Sequence, residues 1–289
     1  MKFTLALAQI DTKLGVVSAN LDKHLDYIQQ ARKQGADLVV FPELSLTGYI
    51  LQDLVPTVAA SPTPNDPTFA PLLKASKDID ILVGFVERDA RSLHYISAAY
   101  LSQGALLHVH RKIYLPTYGM FDEGRFWASG DSIRAFDTRF GRFGVLICED
   151  FWHASPPYLL WMDGAELLIF ISASPGRGLT DSPKLESARW VEHVCGAYAS
   201  LFTCYVASNN RVGFEDGVTY WGGASVFDPL GELVAQGPYH EEALTLAEVD
   251  TRLLERTRTR LPLLRDERPD LVQRELSRIL NPPREESRP

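Results

Sequence analysis

The sequence predicts a single-domain, layered α/β fold. Three observations predict it. Short apolar runs of strand length recur along most of the chain, stretches with helical spacing alternate with them, and no Gly/Ser-rich linker interrupts the alternation. With 289 residues, 45% of them hydrophobic, the chain can bury a substantial core, and mixed α/β folds of this length often form one domain.

FTLALAQI (3–10) reads as the first strand. A secretory signal would need a longer apolar region and a small-residue cleavage site, and Gln9 and Asp11 cut this one short. NLDKHLDYIQQARKQGA (20–36) sets Leu21, Leu25, Ile28 and Ala31 at helical spacing, with Gly35 where a helix stops. DLVVFPE (37–43) is a buried strand broken by Pro42. The strand pattern recurs in DIDILVGFVE (78–87), YISAAYLS (95–102), ALLHVHRK (105–112), RFGVLICE (142–149) and ELLIFISAS (166–174). It returns in LFTCYVASN (201–209), GASVFDPLGELVAQ (223–236) and ALTLAEVD (243–250). PPYLLWMDGA (156–165) and LESARWVEHVCGAYASL (185–201) are helix candidates. Cys195 falls in the second and Cys204 in the strand after it, both as buried structural thiols. SPTPNDPTFAP (61–71) is a Pro-rich loop, and GRFG, GVTYWGG and SPGRG read as turns.

From Thr251 the composition changes. TRLLERTRTRLPLLRDERPDLVQREL (251–276) is rich in Arg and Glu with interspersed leucines, which suits a solvated peripheral helix or an arm on a neighbouring subunit. Residues 1–250 therefore form the main body, 251–280 an arm of the same domain, and 281–289 (NPPREESRP) a disordered tail.

With 29 basic and 37 acidic residues the net charge is -8, which argues against nucleic acid or an anionic membrane as the partner. No apolar run approaches the ~20 residues that span a bilayer. Cys148, Cys195 and Cys204 are too few and too odd in number for a disulfide framework, so a reducing, cytoplasmic setting is expected. His108 and His110 alternate on a strand while His153 and His193 stand alone, and none forms a metal-ligand array. No Gly-rich phosphate loop is present. No metal or other cofactor is expected.

Three segments place a reactive-type residue just after a buried strand: Glu43 after LVVFP, Lys112 after ALLHVHR and Cys148 after FGVLI. Strand ends are where loops gather catalytic groups. Singly, each has a plain explanation as a loop charge, a surface charge and a core thiol. Together they make chemical sense. A thiol with a reference pKa of about 8.5 needs a base or a cationic field at neutral pH. Glu43 can take its proton, and Lys112 can stabilise thiolate and then an oxyanion, helped by the backbone N–H of Glu149.

FPELSLTGY (41–49), HRKIYLP (110–116) and GVLICEDFW (144–152) resemble the three signature segments of the nitrilase superfamily of carbon–nitrogen hydrolases, in order and at similar separations. The resemblance extends from AQID (8–11) to RLPLLRDERPDL (260–271). It implies a four-layer α-β-β-α sandwich, assembly as a homodimer or larger homo-oligomer, and catalysis by Glu43 as general base, Lys112 as oxyanion stabiliser and Cys148 as nucleophile. The second glutamate of the family matches Glu123 in DEGRFW, with Asp122 as the neighbouring alternative.

Within the superfamily, CED before an aromatic residue, YLPTYGMFDEGRFW and ISASPGRG resemble the glutamine-hydrolysing domain of glutamine-dependent NAD synthetases. That implies substrate contacts from Tyr118, Glu149 and either Ser174 or Ser172. Glu149 can instead be a structural neighbour that contributes only its N–H. The chain stops where an ATP-using synthetase domain would begin and has no SGG-type ATP loop, so a free-standing amidase or a subunit serving a separate synthetase is expected. The leading expectation is hydrolysis of a C–N bond in a small amide or carbamoyl substrate through a thioester. Nitrile hydrolysis and a non-catalytic scaffold are the alternatives. Tyr49, Tyr118, Phe121, Trp152 and Arg177 are candidates for the pocket wall.

Overall fold

The computed structural model describes residues 1–177 and 184–282. Gly178 of SPGRG, and all of the expected tail but Asn281 and Pro282, lie outside the described residues. The strands are β1 Lys2–Gln9, β2 Leu38–Val40, β3 Asp80–Arg88, β4 His94–Ser102, β5 Ala105–Arg111, β6 Phe136–Thr138, β7 Gly141–Ile147, β8 Leu167–Ser172, β9 Tyr205–Asn210, β10 Val212–Glu215, β11 Val218–Trp221, β12 Ser225–Phe227, β13 Leu233–Gln236 and β14 Ala243–Asp250. The helices are α1 Val17–Lys33, α2 Val55–Val58, α3 Phe69–Ala75, α4 Glu123–Phe126, α5 Ser155–Met162, α6 Glu186–Leu201, α7 Thr251–Arg260, α8 Leu263–Asp266 and α9 Pro269–Leu280.

Among the described residues, two six-stranded sheets run β14-β1-β2-β3-β4-β5 and β13-β12-β9-β8-β7-β6. Their inner faces share one core, in which Leu5, Leu7, Val40, Leu82 and Tyr100 meet Phe143, Val145, Ile169 and Ala207. The strands buried on both faces read as near-continuous apolar runs, as parallel strands do. The outer face of the first sheet, through Ala6, Val39, Ile81 and Val83, packs on Ile28 and Ala31 of α1 and Leu72 of α3. That of the second, through Leu146, Leu168 and Phe170, packs on Leu160 of α5 and Val191 and Cys195 of α6. The layers are α-β-β-α, as expected.

This topology gathers one rim. β1, β2 and β3 are parallel, as are β7, β8 and β9. Two antiparallel steps, β3 to β4 and β4 to β5, return β5 to the direction of β3. The C-terminal ends of β2, β5, β7 and β8 therefore meet, and Asn209 stitches the sheets there by donating Nδ2–H to Val40 O (2.8 Å) and Ala8 O (3.2 Å).

The structure differs from expectation at several elements: GRFG is the start of β7 and not a turn, residues 69–71 of the Pro-rich loop already belong to α3, and three further segments depart more. Cys204 precedes its strand, because α6 runs on into a turn in which the N–H groups of Phe202 and Cys204 still bond back to Tyr198 and Ala199. GASVFDPLGELVAQ is a hairpin of β12 and β13, whose turn is tied by Asp228 Oδ1 accepting from the N–H groups of Leu230 and Glu232. GVTYWGG contains a strand, β11, paired with β10 across Asp216-Gly217. Both turn residues have positive φ, the two-residue hairpin geometry that Asp-Gly favours.

The segment after Thr251 begins on its own chain. Leu254 of α7 is buried, and Arg258 donates to the carbonyls of Thr203 and Ala165. α9 buries no residue. Among the described residues, no helix is long and apolar enough to cross a membrane.

Candidate active site

Glu43 follows β2 through Phe41 and Pro42, in a segment packed tightly on β3. Gly84 makes this approach possible: a Cβ there would lie 2.3 Å from Pro42 O and 2.9 Å from the Glu43 Cα. Lys112 follows β5 and keeps a strand-like bond, its N–H donating to Ile96 O at 2.8 Å. Cys148 opens the 3₁₀ turn Cys148–Trp152 at the end of β7, with φ of 47°. A non-glycine residue in that region is strained, and such strain clusters at functional sites.

The three expected side chains converge. Lys112 Nζ donates to Glu43 Oε1 at 2.9 Å and to Glu123 Oε1 at 2.7 Å, and all three groups are buried. Glu43 Oε2 accepts from the Ala173 N–H at 2.7 Å, which fixes its other oxygen. Tyr49 OH donates to Glu123 Oε1 at 2.5 Å. Glu123 Oε2 is buried and has no partner among the described residues. Of the adjacent acids, Glu123 enters the cluster; Asp122 lies outside it, at the start of α4.

Cys148 opens into a cavity of about 300 Å³. Tyr118, Phe121, Glu149, Trp152, Ser174, Pro175 and Arg177 line it, with Glu186, Ser187 and Trp190 from the first turns of α6. Tyr118 OH donates to Glu149 at 2.9 Å to Oε2. The pair Ser174 or Ser172 separates here. Ser172 Oγ bonds Asn210 Oδ1 at 3.1 Å within the core, whereas Ser174 reaches the cavity and is held by its backbone, through Ser174 N–H to Asn210 Oδ1 at 2.7 Å. Tyr49 is the pocket candidate that does not line this cavity. Its hydroxyl is spent on Glu123, and its ring borders a neighbouring cleft.

The electrostatics follow from burial. Cys148 is pushed well above the ordinary thiol range by desolvation and then by Glu43, with Lys112 pulling the other way. Its resting form is the neutral thiol. Burial favours neutral Lys112, but Glu123, Glu43 and Cys148 outweigh it and hold the ammonium well above the usual lysine value. Glu123 rises to about 7, chiefly by desolvation and against the pull of Lys112. One buried ammonium faces two carboxylates, so one carboxyl keeps its proton more readily.

Sequence reasoning passed over the scaffold of this site. Asp150 Oδ1 accepts from the N–H groups of Ile113 and Tyr114, both at 3.0 Å, and Oδ2 accepts from Ile147 N–H at 3.2 Å. Its Oδ2 lies 2.9 Å from His110 Nε2. Burial raises Asp150, but the His110 hydrogen bond and its other partners bring it below the usual carboxylate range. This aspartate ties the Lys112 loop to the Cys148 turn. The available signal was an acid two residues after the cysteine opposite a strand histidine. His108 stacks on Phe136, His153 stacks on Tyr114, and His193 is exposed, as surface or packed histidines are.

Comparison with known proteins follows the same lines. Residues 4–259 match the sequence profile described as Carbon-nitrogen hydrolase. The chain is 30% identical over 250 residues to the glutamine-dependent NAD(+) synthetase of Acinetobacter baylyi, covering 86% of this chain and 44% of that protein. It is 27% identical over 271 residues to the N-carbamoylputrescine amidase of Arabidopsis thaliana, covering 89% of this chain and 90% of that protein. The chain thus spans less than half the length of the synthetase relatives it matches. Its fold is shared with the crystal structure of a carbon–nitrogen hydrolase from Helicobacter pylori G27, with a TM-score of 0.80, 24% identity and coverage of 95% of this chain and 98% of that one.

Proposed function

The chain belongs to the carbon–nitrogen hydrolase family, and from that premise we propose that it hydrolyses a non-peptide C–N bond in a small amide or carbamoyl compound through a thioester on Cys148. The observation that carries this reading is Lys112 held between Glu43 and Glu123 beside a buried thiol that opens on a cavity.

Cys148 is neutral at rest, so attack and deprotonation are coupled: Glu43 takes the proton as sulfur bonds to the substrate carbon. The developing oxyanion is met by the Lys112 ammonium and the N–H of Glu149, donors fixed before the reaction. As the C–N bond breaks, the proton on Glu43 passes to the leaving ammonia or amine. Water then gives its proton to Glu43 and attacks the thioester, releasing the acid and restoring the thiol. The free Oε2 of Glu123 is suited to accept from the substrate nitrogen and to assist the proton movement. Tyr118, Glu149 and Ser174 form the substrate wall.

The test is an ammonia-release screen over amino-acid amides, carbamoyl compounds, aliphatic amides and nitriles, paired with mass-spectrometric trapping of an adduct on Cys148. Turnover that survives Cys148→Ala overturns the assignment. A second reading, a glutaminase serving a separate synthetase, is favoured by the carboxylate of Glu149 and the guanidinium of Arg177 lining one cavity, which suits a zwitterionic amino-acid amide. It predicts slow glutamine hydrolysis alone and acceleration on mixing with the synthetase.

A further inference from the structure

Behind the first turn after Glu43 lies a second buried ion cluster, which the reaction above does not use. Arg211 is 1% exposed and Glu215 4%. Arg211 Nη1 donates to Glu215 Oε2 at 2.7 Å and Nη2 to Asp11 Oδ1 at 3.3 Å, while the guanidinium lies over the Tyr220 ring, 4.2 Å from its centroid. The other oxygen of Glu215 accepts from two successive backbone N–H groups, Tyr49 at 2.8 Å and Ile50 at 2.7 Å. The preceding residue makes room for it. Gly48 has φ of +82°, and a Cβ there would sit 2.6 Å from Glu215 Oε2.

We infer that Glu215, fixed by Arg211, is a positioning residue for the proposed hydrolysis: it clamps the Gly48–Ile50 turn so that Tyr49 occupies one oxygen of Glu123 and leaves the other free for substrate. The chain of contacts is continuous, from Arg211 to Glu215, to the Tyr49 backbone, and from the Tyr49 hydroxyl to Glu123 Oε1, which Lys112 shares. A buried ion pair is a poor stabiliser compared with apolar packing, but it holds one geometry. A planar guanidinium with fixed donors suits that task better than a flexible ammonium.

The inference rests on the proposed function but can fail separately from it. The full-length protein is assayed with the best substrate from the ammonia-release screen, and Cys148 alkylation by iodoacetamide is followed in parallel against pH. The groups facing Glu123 are Lys112, Glu43, Cys148 and Tyr49, and the Tyr49 hydrogen bond lowers its pKa. Glu215→Ala and Tyr49→Phe should each lower kcat about tenfold in folded protein and move the Glu123 limb of the pH profile upward by about half a unit. The double variant should equal Tyr49→Phe alone, because Glu215 acts through Tyr49. Glu215→Gln keeps an oxygen for both N–H groups but turns an amide NH2 toward Arg211, so it should move the limb less than Glu215→Ala. Should Glu215→Ala not fold, Glu215→Asp replaces it, since the shorter acid keeps a charge for Arg211 but withdraws from the turn. An unmoved limb in either folded variant, or effects that multiply with those of Tyr49→Phe, overturns the inference. Survival of turnover in Cys148→Ala would instead overturn the function itself.

Discussion

Lys112 and Arg211 are both buried cations bound by two carboxylates, and their settings differ. Lys112 lies between Glu43 and Glu123, with all three side chains enclosed. Arg211 lies between Glu215 and Asp11, and the Asp11 side chain is 45% exposed. The surplus negative charge of the second cluster reaches water, where it is solvated. That of the first is sealed beside a thiol, so it is relieved by protons: Glu123 rises to about 7 and Cys148 stays neutral. Enclosure turns one of two similar charge triads into a proton-handling site, and access to solvent leaves the other as a fixed strut.

The contrast can be broken most directly at the sulfur. Cys148→Ala should lower turnover by at least ~10⁴-fold while shifting stability by no more than about 1 kcal/mol, read by ammonia release and denaturant unfolding. Next come the cations themselves. Lys112→Met and Arg211→Met each strand buried carboxylate, and each should cost about 3–5 kcal/mol. Lys112→Met should also lower kcat by ~10²–10⁴-fold per folded molecule, against about tenfold for Arg211→Met. Equal losses of kcat would erase the distinction between reacting site and strut.

A smaller effect sharpens the role of enclosure. Glu123 binds its proton more tightly folded than unfolded, with its pKa raised from 4.5 to about 7. The associated stability is fully present below about 4.5 and is lost as pH rises through about 7, at roughly 1 kcal/mol per pH unit inside that window. Urea unfolding at several pH values should show this decline in the wild-type protein and not in Glu123→Gln. The smallest effect belongs to the other thiols. Cys195 and Cys204 are fully buried, and burial raises both. Neither lines the Cys148 cavity. Cys195→Ala should cost about 1 kcal/mol and leave turnover per folded molecule unchanged.

Much of this was legible in the chain. FTLALAQI, DLVVFPE and RFGVLICE carry strand signals that end close to where the strands end, because a strand buried on both faces must be apolar throughout. Glu43, Lys112 and Cys148 stand out because a charge or thiol directly after such a run marks the rim of a sheet. The hairpin at Asp216-Gly217 has a turn signature, but its flanking strands of four residues each are too short to show a period of their own. Asp150 and His110 left only a faint signal, and Arg211 and Glu215 none that pointed to the site, because the groups they hold lie far off in sequence: Asp150 and Ile113 are 37 positions apart, and Glu215 and Tyr49 166.

The sequence by itself determined the alternation of strands and helices, the α/β class, and which reactive side chains follow which strands, because periodicity and residue chemistry are local properties. Only the tertiary structure decided that Ser174 and not Ser172 reaches the cavity, that Tyr49 serves Glu123, and that one charge triad is sealed while another meets solvent. Those outcomes depend on which way a side chain faces and how much water reaches it, and packing between distant segments sets both.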